Sequence, residues 1–260
     1  MFTPHLNRSV LFLGLTVSPL SAALVFDLGF TSLPNAQPGI GFSASGPHQG
    51  RSAGDLFASN GTALLQDTTV DNTGTPGIAL FDFSLPTPTA NQTYSLTVQT
   101  AVTSEELSDP QFDWAAHAFE LNFASGRMAF GMNSSQLFIL ETLQGGAVRS
   151  RVVDISSTGA DLTANNTYVL DVNPTADSFG LFLNGTSVAS GALVASAPVA
   201  STSINRLRFG DGTGFANAVA TTQQVTLETT SPVPEPSTTL ITGFLGVSAL
   251  FVRRRRSLTA

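Results

Sequence analysis

Residues 165–190 admit few backbones. Thr167-Tyr-Val-Leu-Asp-Val172 and Ser178-Phe-Gly-Leu-Phe-Leu183 read as strands, and Asn173-Pro-Thr-Ala-Asp177 separates them with turn-forming residues. Asn184-Gly185 then leads into Thr186-Ser-Val-Ala-Ser190. Both central residues of a type I′ turn need φ > 0, and Asn-Gly meets that demand at least steric cost. The phrase predicts three antiparallel strands joined by two tight turns.

The same period of two recurs upstream. Thr93 to Val102 puts Tyr94, Leu96, Val98, Thr100 and Val102 on one face, and His117 to Phe123 does so with His117, Phe119, Leu121 and Phe123. Ser125-Gly126 turns into Arg127–Met132, and Asn133-Ser-Ser135 turns into Gln136–Leu140, an antiparallel meander. Ile78 to Leu85 sets Ile78, Leu80 and Asp82 against Ala79, Phe81 and Phe83. Ala23 to Leu28 reads as an opening strand and Gln223 to Glu228 as a closing one, with Ile204 to Asp211 before it. Residues 31–55 are full of Gly, Pro, Ser and Asn without a periodic apolar pattern, and read as loop.

Charge narrows the ligands. Residues 22–230 hold 17 acidic residues against six arginines (51, 127, 149, 151, 206, 208), about −11, and the chain has no lysine. Nucleic acid is a poor partner for such a body, because phosphate neutralisation is not on offer. There is no Cys, so disulfides, thiolate metal sites and a Cys nucleophile are excluded. Only 11% of residues are charged, which with abundant Thr, Ser, Asn, Gly and Phe suits an all-β extracellular domain.

Both ends carry targeting features. Arg8 precedes the apolar core Val10–Leu20, and Ser21-Ala-Ala23 supplies small residues for signal peptidase; cleavage is expected after Ala23, making 1–23 a signal peptide. Near the other end come Val233-Pro234-Glu235-Pro236, an apolar run from Leu240 to Val252, and Arg253, Arg254, Arg255 and Arg256. The run makes a helix of ~20 Å, short of the ~30 Å hydrocarbon core. Extension to residues 238–252 and snorkelling arginines let it span as a transmembrane helix. The arginines stay cytoplasmic by the positive-inside rule, which puts residues 24–230 across the membrane. The prolines keep residues 232–236 extended and exposed.

The order of Pro-Glu-Pro, short apolar helix and arginine cluster over 231–256 resembles the PEP-CTERM sorting signal. The resemblance implies a bacterial precursor anchored in the inner membrane. An exosortase would grip the proline motif and process the tail, and the product would go to the cell surface or the extracellular matrix.

The strand, turn, strand, Asn-Gly, strand phrase, followed by Ile204–Asp211, resembles laminin-G-like and concanavalin-A-like sandwiches over about 90–228. The expected fold is therefore an all-β antiparallel β-sandwich, a jelly roll of that type, with another jelly roll or an immunoglobulin-like sandwich as the generic alternative. Glucanases share the resemblance but carry a Glu-x-Asp-x-x-Glu type catalytic strand, and none occurs here. Glu105 and Glu106 face opposite ways on a strand, and Glu120 has no acid two or four residues away. His117 on its apolar face reads as a satisfied core or edge histidine, and no Gly-x-Ser-x-Gly elbow is present.

Calcium stays open, with Asp109, Asp113 and Asp211 as loop candidates beside their ordinary role in turns. Trp114 could stack on a sugar or pack. These readings together lead to an exported, non-enzymatic carbohydrate- or matrix-binding protein, with signal peptidase and exosortase as processing partners and polysaccharide as ligand. A hydrolase or lyase on the same fold and a ligand-free spacer are the alternatives.

Overall fold

The computed structural model describes residues 22–69, 78–107, 115–142, 148–195, 205–212 and 216–230. Apart from Ala22 and Ala23, the expected signal helix lies outside these residues, as does the whole 231–260 tail with its expected helix over 238–252. Among the described residues no helix is long and apolar enough to cross a membrane.

Fifteen strands are named in chain order: β1 (Ala22–Leu28), β2 (Ile40–Ser45), β3 (Phe57–Ser59), β4 (Leu64–Asp67) and β5 (Ile78–Ser84). They continue with β6 (Thr93–Leu107), β7 (His117–Asn122), β8 (Arg127–Met132), β9 (Leu137–Thr142) and β10 (Val148–Val153). The rest are β11 (Asn166–Asn173), β12 (Ser178–Leu183), β13 (Thr186–Gly191), β14 (Arg206–Asp211) and β15 (Ala216–Thr230). They form two antiparallel sheets. One runs β13-β12-β11-β6-β15-β4-β3, with β1 also on β15; the other runs β10-β9-β8-β7-β14-β5-β2. This is the expected sandwich.

Alternation decides the core. Tyr94, Leu96, Val98 and Val102 of β6 and Tyr168, Leu170 and Val172 of β11 are fully buried. They meet an aromatic row from the facing sheet: Phe81, Phe209, Phe119 and Phe130 are register partners across β5, β14, β7 and β8. Neighbouring rings in that row lie 5.3 to 6.2 Å apart, and Phe130 sits 5.5 Å from Tyr168 across the sandwich. Such ring pairs add to the burial of large apolar area.

The hairpin at 184–185 forms as the sequence dictates. Asn184 and Gly185 have φ of 50° and 80°. Asn184 also braces β11, since its Oδ1 accepts from Thr167 N at 3.0 Å and its Nδ2 donates to Asn166 Oδ1 at 2.8 Å.

The loop expected over 31–55 is corrected. It contains β2 and a one-turn helix, Ala53–Leu56. Ile40 and Phe42 pair in register with Phe83 and Phe81 of β5, so cross-strand packing makes a strand of a Gly- and Ser-diluted segment. β15 is longer than expected. One edge pairs β6, while the other is shared by β4 over Val219–Thr222 and β1 over Val225–Thr230.

Candidate functional site

The outer face of the β5-β14-β7-β8 strip lies one residue out of phase with the phenylalanine row. Stepping from Phe81, Phe209, Phe119 and Phe130 to their outward neighbours gives Asp82, Arg208, Glu120 and Ala129, which are again register partners. The next row toward one end holds Arg206, Asn122 and Arg127. The next row toward the other end holds Leu80, Gly210, Ala118 and Gly131. The face is thus graded from cations through ion pairs to small and apolar residues.

Two carboxylates serve three guanidiniums. Arg208 Nε lies 3.0 Å from Asp82 Oδ1, Arg206 Nη1 lies 3.9 Å from the same oxygen, and Arg127 Nη1 lies 3.6 Å from Glu120 Oε2. The five side chains are 12–30% exposed, so they are neither core nor free surface. Burial, and then the charges of Arg208 and Arg127, draw the Arg206 guanidinium below its usual range against the pull of Asp82 and Glu120.

Beside the ion pairs lies a groove of about 150 Å³ whose lining includes Glu120, Arg127, Arg208, Ala118, Ala129 and Gly131. Buried Leu80 and Phe138 also line it. Ala115 packs directly over Gly131. A Cβ on Gly131 would stand 2.5 Å from Ala115 Cβ, so no larger residue fits there without displacing that wall. An apolar cavity of roughly this volume holds one six-membered ring.

The residues expected from the sequence fall elsewhere. Asp211 follows Gly210 on β14 and turns inward; it is fully buried, and its Oδ2 accepts from Thr68 Oγ1 at 2.7 Å. Trp114, Asp109, Asp113, Ser21, Val233, Pro234, Glu235, Pro236 and Arg253 to Arg256 lie outside the described residues. Ala23 pairs with Thr229 at the exposed end of β1. For calcium, no group of three or more acidic, His or Cys side chains stands together among the described residues.

His117 is a core histidine. It is 1% exposed, with Nδ1 2.8 Å from Gln66 Oε1 and Nε2 3.0 Å from Thr222 Oγ1. Gln66 Nε2 donates to Ala116 O, so Gln66 Oε1 must accept, Nδ1 carries the proton and Thr222 donates to Nε2. Burial pushes its pKa down to about 3.

The sequence reading did not assemble the groove. Its one local signal was Arg206-Leu-Arg208, two scarce arginines on one side of a strand whose other side is Leu207 and Phe209.

A model of the PEP-CTERM protein-sorting motif matches residues 232–256. The motif marks an exported protein with a C-terminal, membrane-anchoring sorting signal. No curated protein matches the chain. Among solved structures, an endo-1,3-beta-glucanase from Streptomyces sioyaensis is 13% identical with a TM-score of 0.51, over 83% of this chain and 99% of its own. The CBM2 module of the Lactobacillus casei BL23 phage J-1 evolved Dit is 14% identical with a TM-score of 0.48, over 83% and 99%. A carbohydrate esterase from the Shiga toxin-encoding bacteriophage phi24B is 13% identical with a TM-score of 0.48, over 81% and 100%. At these identities the likeness is one of fold, the β-sandwich.

Proposed function

We propose that this chain is an exported, exosortase-processed surface or matrix protein whose sandwich binds a polysaccharide without cleaving it. The observation that carries the reading is the row of ion pairs beside a ring-sized groove on the outer face of the β5-β14-β7-β8 strip. Guanidinium and carboxylate groups can hydrogen-bond sugar hydroxyls, and the short side chain of Ala129 lets a ring approach the sheet. The endo-1,3-beta-glucanase builds on the same fold, which is support from architecture alone.

The non-enzymatic reading rests on where the acids stand. Asp82 and Glu120 are on strands separated by β14, with Arg208 between them in register. Glycosidases need a pair of carboxyls facing each other across the scissile bond, ~5–9.5 Å apart with substrate between. Here a guanidinium occupies the intervening register position.

Affinity electrophoresis of the whole chain in detergent against a panel of polysaccharides tests binding, and product analysis tests cleavage. Retardation without product is expected; reducing ends released in proportion to protein would replace the binding reading with an enzymatic one. Mass spectrometry of the mature C-terminus tests the sorting half, since exosortase processing predicts loss of Arg253–Arg256.

A further inference from the structure

We infer that the groove selects an anionic ligand: a polysaccharide whose repeating unit carries a carboxylate, received by Arg127 and Arg208 with Arg206 behind them. This rests on the binding reading above and adds the ligand's charge to it.

The body holds six arginines against 17 acidic residues, and three of the six stand on this one strip of sheet. Asp82 and Glu120 neutralise two, leaving an excess positive charge where the rest of the body is strongly negative. A half-buried cluster with low-dielectric walls focuses that excess. An acidic polymer would be repelled by most of this protein and attracted here.

Contacts of 3.6 and 3.9 Å are too long to be hydrogen bonds, so Arg127 and Arg206 hold their carboxylates loosely. The Nε groups of Arg127, Arg206 and Arg208 are buried without a hydrogen-bond acceptor, as Asp82 Oδ1 and Glu120 Oε1 are without a donor, so the cluster does not satisfy itself internally. A guanidinium donates through a fork suited to a carboxylate, and the side chains of Arg127 and Arg208 line the groove where a bidentate partner would meet that fork. A hydroxyl offers one oxygen and no charge, which answers neither the geometry nor the excess.

Arg127 and Arg208 line the groove together with Ala129, which is one outward rung from Arg127 and in the row of Arg208. Outward rungs on a strand are ~6.6–6.8 Å apart. A pyranose ring over Ala129 therefore sets a ring carboxylate within reach of Arg208 and Arg127.

The probes are polygalacturonate, the same polymer with its carboxylates methyl-esterified, and a neutral β-1,3-glucan, each titrated against the whole chain in detergent. Polygalacturonate is expected to bind, with affinity falling as salt rises, and the methyl ester to bind at least about tenfold more weakly, the scale of a lost charged hydrogen bond. Arg127→Gln should cost a similar factor. Glu120→Gln, which removes a competing carboxylate from Arg127, should strengthen binding. Should Arg127→Gln fail to fold, the ester comparison and Glu120→Gln still decide. Equal affinity for the acid and its ester, or preference for the neutral glucan, overturns the charge inference and leaves the binding reading standing. Binding of none of the three polymers overturns both.

Discussion

His117 Nε2 and Thr222 Oγ1 meet at 3.0 Å across the interior, joining β7 of one sheet to β15 of the other. Thr222 Oγ1 continues to Thr100 Oγ1 at 3.1 Å, and His117 Nδ1 to Gln66, so a polar thread crosses a core built mostly of aliphatic and aromatic side chains. Both ring nitrogens are used by a neutral imidazole.

Stability should therefore fall in acid through His117. Its folded pKa, near 3, lies below the ordinary 6.5, so the unfolded chain binds the proton more readily. The stabilisation is complete above about pH 6.5 and is lost as pH falls toward 3, by about 1.4 kcal/mol per pH unit, or roughly 3–6 °C in melting temperature for a domain this size. Carboxylates add their own acid dependence, so the diagnostic is a comparison. His117→Gln should melt below the parent at pH 7, and the gap should narrow by pH 4. A gap that does not change with pH would contradict the neutral, buried assignment.

Phe119 is the middle of the aromatic row, stacked 5.3 Å from Phe130 and 6.2 Å from Phe209, and is fully buried. Phe119→Ala should destabilise by about 3–5 kcal/mol through lost burial and the cavity left behind. Its outward neighbour Glu120 meets Arg127 only at 3.6 Å, too long for a hydrogen bond, so Glu120→Gln should stay within roughly 1 kcal/mol of the parent. Denaturant midpoints at constant m separate the two. Similar losses would mean that inner and outer faces are mechanically coupled.

That pair of residues shows what could be read in advance. Phe119 and Glu120 take opposite faces by period two, which sequence displays directly, and the faces of β6, β7 and β11 follow the same rule. Asn184-Gly185 was legible because its turn is local. Strand order is not local. Arg208 meets Asp82 and Glu120 only because β14 inserts between β5 and β7, joining residues 126 and 88 positions apart. The partners of His117, Gln66 and Thr222, are remote in the same way. β2 and β10 escaped for another reason. Ile40, Phe42 and Ala44 give β2 an apolar side, but Gly41 and Ser43 between them and the Gly- and Pro-rich flanks hide it, while in β10 Arg149 and Arg151 face Glu141 and break any continuous apolar side.

The hairpin turn offers an independent check of the fold. Asn184→Ala keeps a chain length that suits the turn but places a Cβ-bearing residue without a local hydrogen bond at φ 50°. It also removes the contacts to Thr167 N and Asn166 Oδ1. The loss should be about 1–3 kcal/mol, with hydrogen exchange faster at β11–β13 than at β7–β9. Uniform acceleration across both sheets would show that the hairpin does not unfold as a local unit.

Ala129 separates the groove from the fold that carries it. It is the outward partner of Glu120 on β8, half-buried, and lines the groove, while its neighbours Met128 and Phe130 fill the core. Ala129→Leu adds three carbons to a space of about 150 Å³ without touching the aromatic row. Binding of polysaccharide should fall by an order of magnitude or more, because a ring can no longer approach Arg127 and Arg208. The melting temperature should move little, since the added side chain projects into the groove and not into the packed interior. Titration of the parent and the variant against the same polymer, with melts run alongside, reads both quantities. Undiminished binding by a stably folded Ala129→Leu protein would place the ligand elsewhere on the molecule.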